Sequence, residues 1–383
     1  MTSVTSRCLS RSVNERALSS PLKWKHEALA VVKVKEIKTH SQIINCCQFC
    51  CQDEKFLTGS DNTTLSIWDC YTGRQLQSFH GHTHIVSGCS YHDSLNRIAS
   101  VSWDTTLRFW DPETATELWS VSHDGLMTTC HVSLDGRLAL AAGDDNIITM
   151  WDVSSRKRLY QLKGHKSTVM SCQFSPTINS FSSSSIDKTS RLWDMRLMKT
   201  LLTLRGHTNA VTSGCFSSDG RLLSTASWDK QVLLWDIATG SYRSAGPVAL
   251  QNHEGNVSSC EISHNGTTLI SSSYDHSVIV WNVDVHCPKL KLQGHTDWVL
   301  DCGISKDGNW VLSSSKDKTV RLWNIEGCEN LQFAVDNMSQ NLGLQTTVCE
   351  TCGKQFAISH PNGPTKCVFC RLSLPSRSFT KIE

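Results

Sequence analysis

The chain has 383 residues, a formal net charge of +2 and 18 cysteines. So small a basic excess excludes a protein built mainly to hold nucleic acid, whose domains usually carry a clear surplus of lysine and arginine. No apolar run is long enough to cross a bilayer as a helix, and the first twenty residues lack the apolar core of a secretory signal.

Residues 1–25 are Ser-rich and poor in large apolar side chains, a composition expected to be disordered. Arg7, Arg11 and Arg16 amid those serines leave an organellar transit peptide as the alternative. Residues 28–37 alternate as a strand does and stop just before His40.

From His40 onward one spacing governs the chain. A histidine recurs seven times with a tryptophan twenty-eight residues after each copy: His40/Trp68, His82/Trp110, His123/Trp151, His165/Trp193, His207/Trp235, His253/Trp281 and His295/Trp323. Position twenty-two of the interval is acidic in six copies, at Asp104, Asp145, Asp187, Asp229, Asp275 and Asp317, while the first copy has Asn62. Composition cannot produce such register. A period of about forty-two residues, opened by Gly-His and closed by Trp-Asp, marks a four-stranded propeller blade. The expected fold is therefore all-β, a seven-bladed propeller over residues 26–328.

Within the second unit, Ile85–Tyr91, Arg97–Val101, Thr106–Trp110 and Glu117–Val121 read as the four strands. Asp135-Gly136, Asp219-Gly220, Asn265-Gly266 and Asp307-Gly308 mark tight turns. The 28–37 strand has no tryptophan-bearing unit before it, so it is assigned to the seventh blade, where it would close the ring and remove a free sheet edge. Leu331–Val335 is the competing candidate for that slot. Trp235 to His253 is four residues longer than most equivalent gaps, predicting a surface loop around Ser241–Val248. Cys47, Cys89, Cys130, Cys172, Cys260 and Cys302 each lie seven residues after a repeat histidine, at one inner-strand position suited to a small buried side chain. Equivalent sites on separate blades are poorly placed to pair, which points to a reducing, intracellular location.

Beyond a 329–346 linker, Cys349 and Cys352 are followed by Cys367 and Cys370, two CxxC pairs separated by fourteen residues. This is four-cysteine zinc-ribbon spacing, and one structural Zn²⁺ held tetrahedrally by the four thiolates would supply most of the folding free energy of so small a module, 347–372. A redox dithiol and a pair of disulfides are the rivals. Residues 373–383 read as a flexible tail.

The repeats resemble the WD40 family from about Val31 to Ile325. Trp-Asp closes five units, with Asn282 and Asn324 replacing the acid in the last two. Gly-His is intact at Gly81-His82, Gly164-His165, Gly206-His207 and Gly294-His295, whereas Thr39, Ser122 and Asn252 stand in for the glycine elsewhere. The resemblance implies that histidine, turn aspartate and strand tryptophan form an internal hydrogen-bonded network in each blade. A feature present in every blade is architecture, so these His/Asp pairs are not read as catalytic. Nor is there a Gly-Lys phosphate loop, a GxSxG elbow or an HExxH helix, and the chain is read as a non-enzyme.

The resemblance also implies contact with other proteins through loops on the propeller's rim. Two register positions serve it: the residue before each turn aspartate, and the third residue after each repeat histidine. They place Ile85, Trp103, Ile186, Trp228, Tyr274 and Trp298 as partner-binding candidates, the aromatic ones foremost because such side chains dominate interface hot spots. The bland alternative is that these rings pack onto neighbouring loops. Separately, Asp187, Arg191, Trp193, Asp194 and Arg196 fit the box of propellers that act as substrate receptors of cullin-4 ubiquitin ligases, in which Arg191 and Arg196 would face the ligase adaptor. Nucleic-acid contact through the mildly basic tail is the weakest reading, for lack of a dense basic cluster with interleaved aromatics.

Overall fold

The computed structural model describes residues 32–177, 179–240 and 246–326, residue 350, and the backbone of a hairpin at 345–348 and 355–358. Residues 1–25, the cysteines Cys349, Cys352, Cys367 and Cys370, the segment 331–335 and the 373–383 tail lie outside the described residues.

Seven four-stranded antiparallel sheets form the body. Their innermost strands touch their neighbours in unbroken succession, and the strand Ile44–Cys50 meets Val299–Ile304 to complete the circle. In blade 2 the strands run Val86–His92, Arg97–Ser102, Thr106–Trp110 and Glu117–Ser122, within a residue of the expected bounds.

Blade 7 is completed from the far end of the chain. Its strands Val299–Ile304, Trp310–Ser315 and Thr319–Asn324 are joined by Lys33–Lys38, which runs antiparallel with Lys33 opposite Asn324 and Lys38 opposite Thr319. The slot contested by Leu331–Val335 thus belongs to the N-terminal strand. Ile37, 5% exposed, packs with Leu312, Val320 and Leu322 and, across the junction, with Ile44, Phe56 and Trp68 of blade 1. A backbone ladder and an apolar cluster together close the ring.

The core lies between blades. One cluster joins Leu140, Ala142, Ile148, Met150 and Leu162 of blade 3 to Val169, Cys172, Phe174, Phe181 and Trp193 of blade 4. Inner strands are covered on both faces, whereas outer ones such as Lys157–Lys163 keep most of their side chains in water. The six repeat cysteines lie on first strands as free thiols; Cys89 is half-buried and the rest are buried. Gly136, Gly220, Gly266 and Gly308 adopt left-handed φ of 70°, 66°, 71° and 76° at the expected turns, where a side chain would be strained. The inserted loop of blade 5 is shorter than expected: Val248 already belongs to the outer strand Val248–Gln251, and 241–245 lie outside the described residues.

Candidate functional site

The repeat residues build one fastening in five blades. In blade 4, Trp193 Nε1 donates to Ser183 Oγ at 2.8 Å, and Ser183 Oγ lies 2.7 Å from His165 Nε2. Indole is only a donor and burial lowers the His165 pKa, so a bare Nε2 accepts the serine proton while Nδ1, facing a carboxylate, keeps its own. His165 is therefore neutral with its proton on Nδ1, which donates to Asp187 Oδ2 at 2.9 Å. Asp187 also accepts from the backbone N–H groups of Lys166 and Thr189 and from the Thr189 hydroxyl. Burial works to raise the Asp187 carboxyl, but these hydrogen bonds outweigh it and hold the group below its ordinary range. Burial likewise pushes His165 down, against the pull of Asp187.

The same chain of bonds runs through Trp110, Ser100, His82 and Asp104; through Trp235, Thr225, His207 and Asp229; through Trp281, Ser271, His253 and Asp275; and through Trp323, Ser313, His295 and Asp317. In blade 1, Asn62 Nδ2 approaches His40 Nδ1 at 3.2 Å, and Thr58 joins His40 to Trp68. The hydroxyl was missed at the sequence level. It lies eighteen residues after six of the seven histidines and ten before the matching tryptophans, a spacing nearly as regular as the one that revealed the blades.

Blade 3 breaks the expectation of a network in every blade. The hydroxyl position is Ala141, so Trp151 Nε1 is buried without a partner. Gly125 N–H donates to His123 Nδ1 at 3.2 Å, which places the proton on Nε2 and turns that atom toward Thr149 Oγ1 at 2.8 Å. The tautomer is reversed, and Asp145 Oδ2, 3.4 Å from His123 Nδ1, makes no hydrogen bond.

Above these fastenings lies the rim. In every blade the residue preceding the turn acid or its Asn62 counterpart donates its backbone N–H to the carbonyl three residues after the histidine: Asp61 to Ile43, Trp103 to Ile85, Asp144 to Leu126, Ile186 to Thr168, Trp228 to Ala210, Tyr274 to Asn256 and Lys316 to Trp298. The two sequence positions are thus bonded neighbours on one face. Ala210 is buried, and Ile85 and Ile186 are half-buried.

Trp103 and Trp298 are each 41% exposed. Trp103 stacks on His84 with centroids 5.8 Å apart. Trp298 stacks on Tyr274 at 4.6 Å and 9°, and the Lys316 ammonium lies 4.3 Å from its ring centre. Trp228 is half-buried with its indole N–H unpartnered. The aromatic candidates therefore do pack on neighbouring loops, and two of them still present a broad apolar face to water.

Arg191 and Arg196 differ from each other. The Arg191 guanidinium lies 6.0 Å from the Trp193 ring and donates to Thr200 Oγ1 at 3.2 Å. It also closes on Gly164, where an added Cβ would meet it at 2.9 Å. Arg321 repeats the arrangement over Trp323, and Arg108, at the same register, pairs with Glu117. Arg191 is thus half-buried within its own blade, while Arg196 is exposed. Among the described residues no group of three or more His, Cys, Asp or Glu is arranged to hold a metal.

The WD domain, G-beta repeat (WD40) pattern matches residues 32–69, 73–111, 116–152, 156–194, 198–236, 247–282 and 286–324. Each match begins around the outer strand of the preceding blade, which is why the first includes Lys33–Lys38 of blade 7. WD repeat-containing protein 88 of Homo sapiens is 35% identical over 165 residues, 42% of this chain and 35% of that protein. Guanine nucleotide-binding protein subunit beta-5b of Danio rerio is 40% identical over 57 residues, 15% of this chain and 14% of that protein. The chain therefore covers about a third or less of the length of either relative. Seven matched repeats spanning most of the sequence, folded as seven sheets in a closed ring, show that the chain belongs to the WD40 family.

Proposed function

We propose that the protein is a non-enzymatic scaffold that binds other proteins through the rim loops of its propeller. The carrying observation is the pair of tryptophans, Trp103 and Trp298, left 41% exposed at positions whose backbones are bonded into the ring. A rim held this way loses little conformational entropy on binding, so a few aromatic anchors can suffice. Affinity capture with the intact chain, beside a Trp103→Ala, Trp228→Ala, Trp298→Ala triple variant, tests it. Loss of the captured proteins is expected; retention of the same set defeats the rim reading.

A narrower reading, a substrate receptor for a cullin-4-type ligase adaptor, is supported by the exposed Arg196 beside Asp194. Arg191, engaged like its counterparts in other blades, supports it less. Adaptor co-purification that disappears with Arg196→Ala is the expected result under that reading.

Zinc at Cys349, Cys352, Cys367 and Cys370 is proposed on the spacing of the two CxxC pairs. Strands Gln345–Val348 and Gln355–Ile358 pair with Val348 opposite Gln355, and the first CxxC lies between them in sequence. Four thiolates suit a closed tetrahedral structural site. Elemental analysis should find one zinc per chain, lost in a Cys352→Ser, Cys367→Ser variant; a metal-free wild-type chain purified without chelator would end the proposal.

A further inference from the structure

Within a blade the turn from the first strand to the second and the turn from the third to the fourth leave the same end, because neighbouring strands are antiparallel. These turns form the underside of the propeller, opposite the rim. They open at Ser133 and Val153 in blade 3, and at Ser175 and Met195 in blade 4.

Charge divides this underside. Around blades 7, 1 and 2 it exposes Asp307, Glu326, Glu54, Asp93 and Glu113. From Val153 to Arg205, by contrast, every exposed charged residue is a cation, although the whole chain is only +2. Arg156 and Arg196 stand in underside turns of blades 3 and 4, and Lys157 and Lys199 head the strands that follow. None of these four side chains pairs with a carboxylate among the described residues. The Arg137 side chain, 83% exposed, stands 3.9 Å from Asp135.

The same sector is apolar. Leu134 is 73% exposed and Leu197 67%, each in an underside turn. Single leucines on a surface are ordinary, but the turn from Leu134 to Arg137 separates two clefts. One, of about 440 Å³, lies between blades 3 and 4 and is walled by Leu134, Leu138, Phe174, Pro176 and Met195. The other, of about 390 Å³, lies between blades 2 and 3 and is walled by Leu95, Phe109, Leu118, Trp119 and the stem of Arg137. Both open to solvent, which suits side chains of a segment laid across them.

We infer that the underside of blades 2 to 4 binds an extended acidic segment of a partner protein, with bulky apolar side chains in the two clefts and carboxylates facing Arg137, Arg156 and Arg196. Guanidinium groups hold carboxylates through paired, planar hydrogen bonds. Burial of the apolar side chains supplies affinity, and the charges supply selection and rate of encounter. The exposed acids of blades 7, 1 and 2 repel the same segment and confine it to one sector. An anionic membrane also attracts arginines and leucines, but it offers no side chains to fill clefts on either side of a ridge. The surface lies opposite the rim tryptophans and does not depend on them.

The test probes the full-length chain with an array of short random peptides built from aspartate, glutamate, leucine and phenylalanine, beside a matched array in which lysine and arginine replace the acids. Capture from the acidic array is expected, weakening as salt rises. The Arg137→Glu, Arg196→Glu variant should bind about tenfold more weakly. Leu134→Ser, Leu197→Ser should also lose affinity, with the salt dependence unchanged. Lys230→Glu, Lys318→Glu makes the same change of net charge at exposed residues on the rim side and should bind as wild type does. No capture from the acidic array, equal capture from both arrays, or an equal loss in the Lys230, Lys318 variant would overturn the assignment. So would phosphatidylserine vesicles that bind the chain where the acidic peptides do not, a result that would give the sector to a membrane surface.

Discussion

Blades 3 and 4 share a plan, yet one is fully fastened and the other is not. In blade 4 a single serine, Ser183, accepts from Trp193 and satisfies His165, which leaves the imidazole to hold Asp187. In blade 3 alanine replaces that serine; the tryptophan loses its acceptor, the histidine turns its proton the other way, and the aspartate loses its partner. One hydroxyl thus sets the state of three other side chains. Histidine and tryptophan alone do not make the network.

The largest consequence concerns the aspartates. Asp187 accepts four hydrogen bonds, and replacing it with alanine leaves several donors without acceptors, at a cost of about 3 kcal/mol. Asp145 accepts from Ile147 N–H, while its second oxygen accepts nothing, so Asp145→Ala should cost only about 1 kcal/mol. Denaturant titration of both variants measures the gap. Equal losses would mean that the fastening in blade 4 adds nothing beyond the turn itself.

Exchanging the hydroxyl should carry the difference in both directions. Ser183→Ala leaves Trp193 Nε1 and His165 Nε2 unpaired, costing about 2–3 kcal/mol. Ala141→Ser gives Trp151 an acceptor and should stabilise by about 1 kcal/mol, provided His123 reverses its tautomer to receive the new proton. Nitrogen chemical shifts of His123 report the tautomer directly. Added stability with an unchanged tautomer would show that the tryptophan alone responds to the hydroxyl.

These contrasts also show what the sequence made legible. The blades were readable because histidine, aspartate and tryptophan occupy fixed offsets, and the closing strand because 28–37 alternates with no unit before it. The break in blade 3 was equally readable at Ala141, but only to a reader who knew that the tryptophan needs a hydroxyl ten residues earlier. Other features were not on the page. The irregularity between Val169 and Ser171 is repeated in the first strand of all seven blades and has no signature residue. The contact of Tyr274 with Trp298 joins blades 6 and 7, and no spacing within a repeat specifies it. For the same reason Arg191 read as a surface donor until its place against Gly164 and Trp193 was visible.

The smallest effect comes from equivalent positions nearer the axis. Gln48 and Gln173 each accept, through the side-chain carbonyl, from a backbone N–H of the next blade, at Tyr91 and Phe216. Blade 6 puts Glu261 in that role, accepting from Ile304 N–H at 3.0 Å. Burial, only partly opposed by that hydrogen bond and aided by the carboxylates of Asp301 and Asp53, pushes Glu261 up to about 8. The folded chain therefore keeps a proton that the unfolded chain releases at its ordinary value of 4.5, and stability falls as pH rises from there to about 8. The turn aspartates have the opposite sign: Asp104, Asp275 and Asp317 are held low, so their contribution is present at neutral pH and lost on acidification. Glu261→Gln supplies the neutral acceptor of blades 1 and 4 and cannot titrate. It should match wild type at pH 5 and melt higher at pH 9, by about 2–4 °C for each kcal/mol recovered. Asp301, pushed up to about 6 by its own burial, should leave a residual decline between pH 4 and 6 in both proteins. Parallel melting curves from pH 5 to 9 would mean that Glu261 is ionised in the folded ring, and that the bond to Ile304 holds a carboxylate where blades 1 and 4 hold an amide.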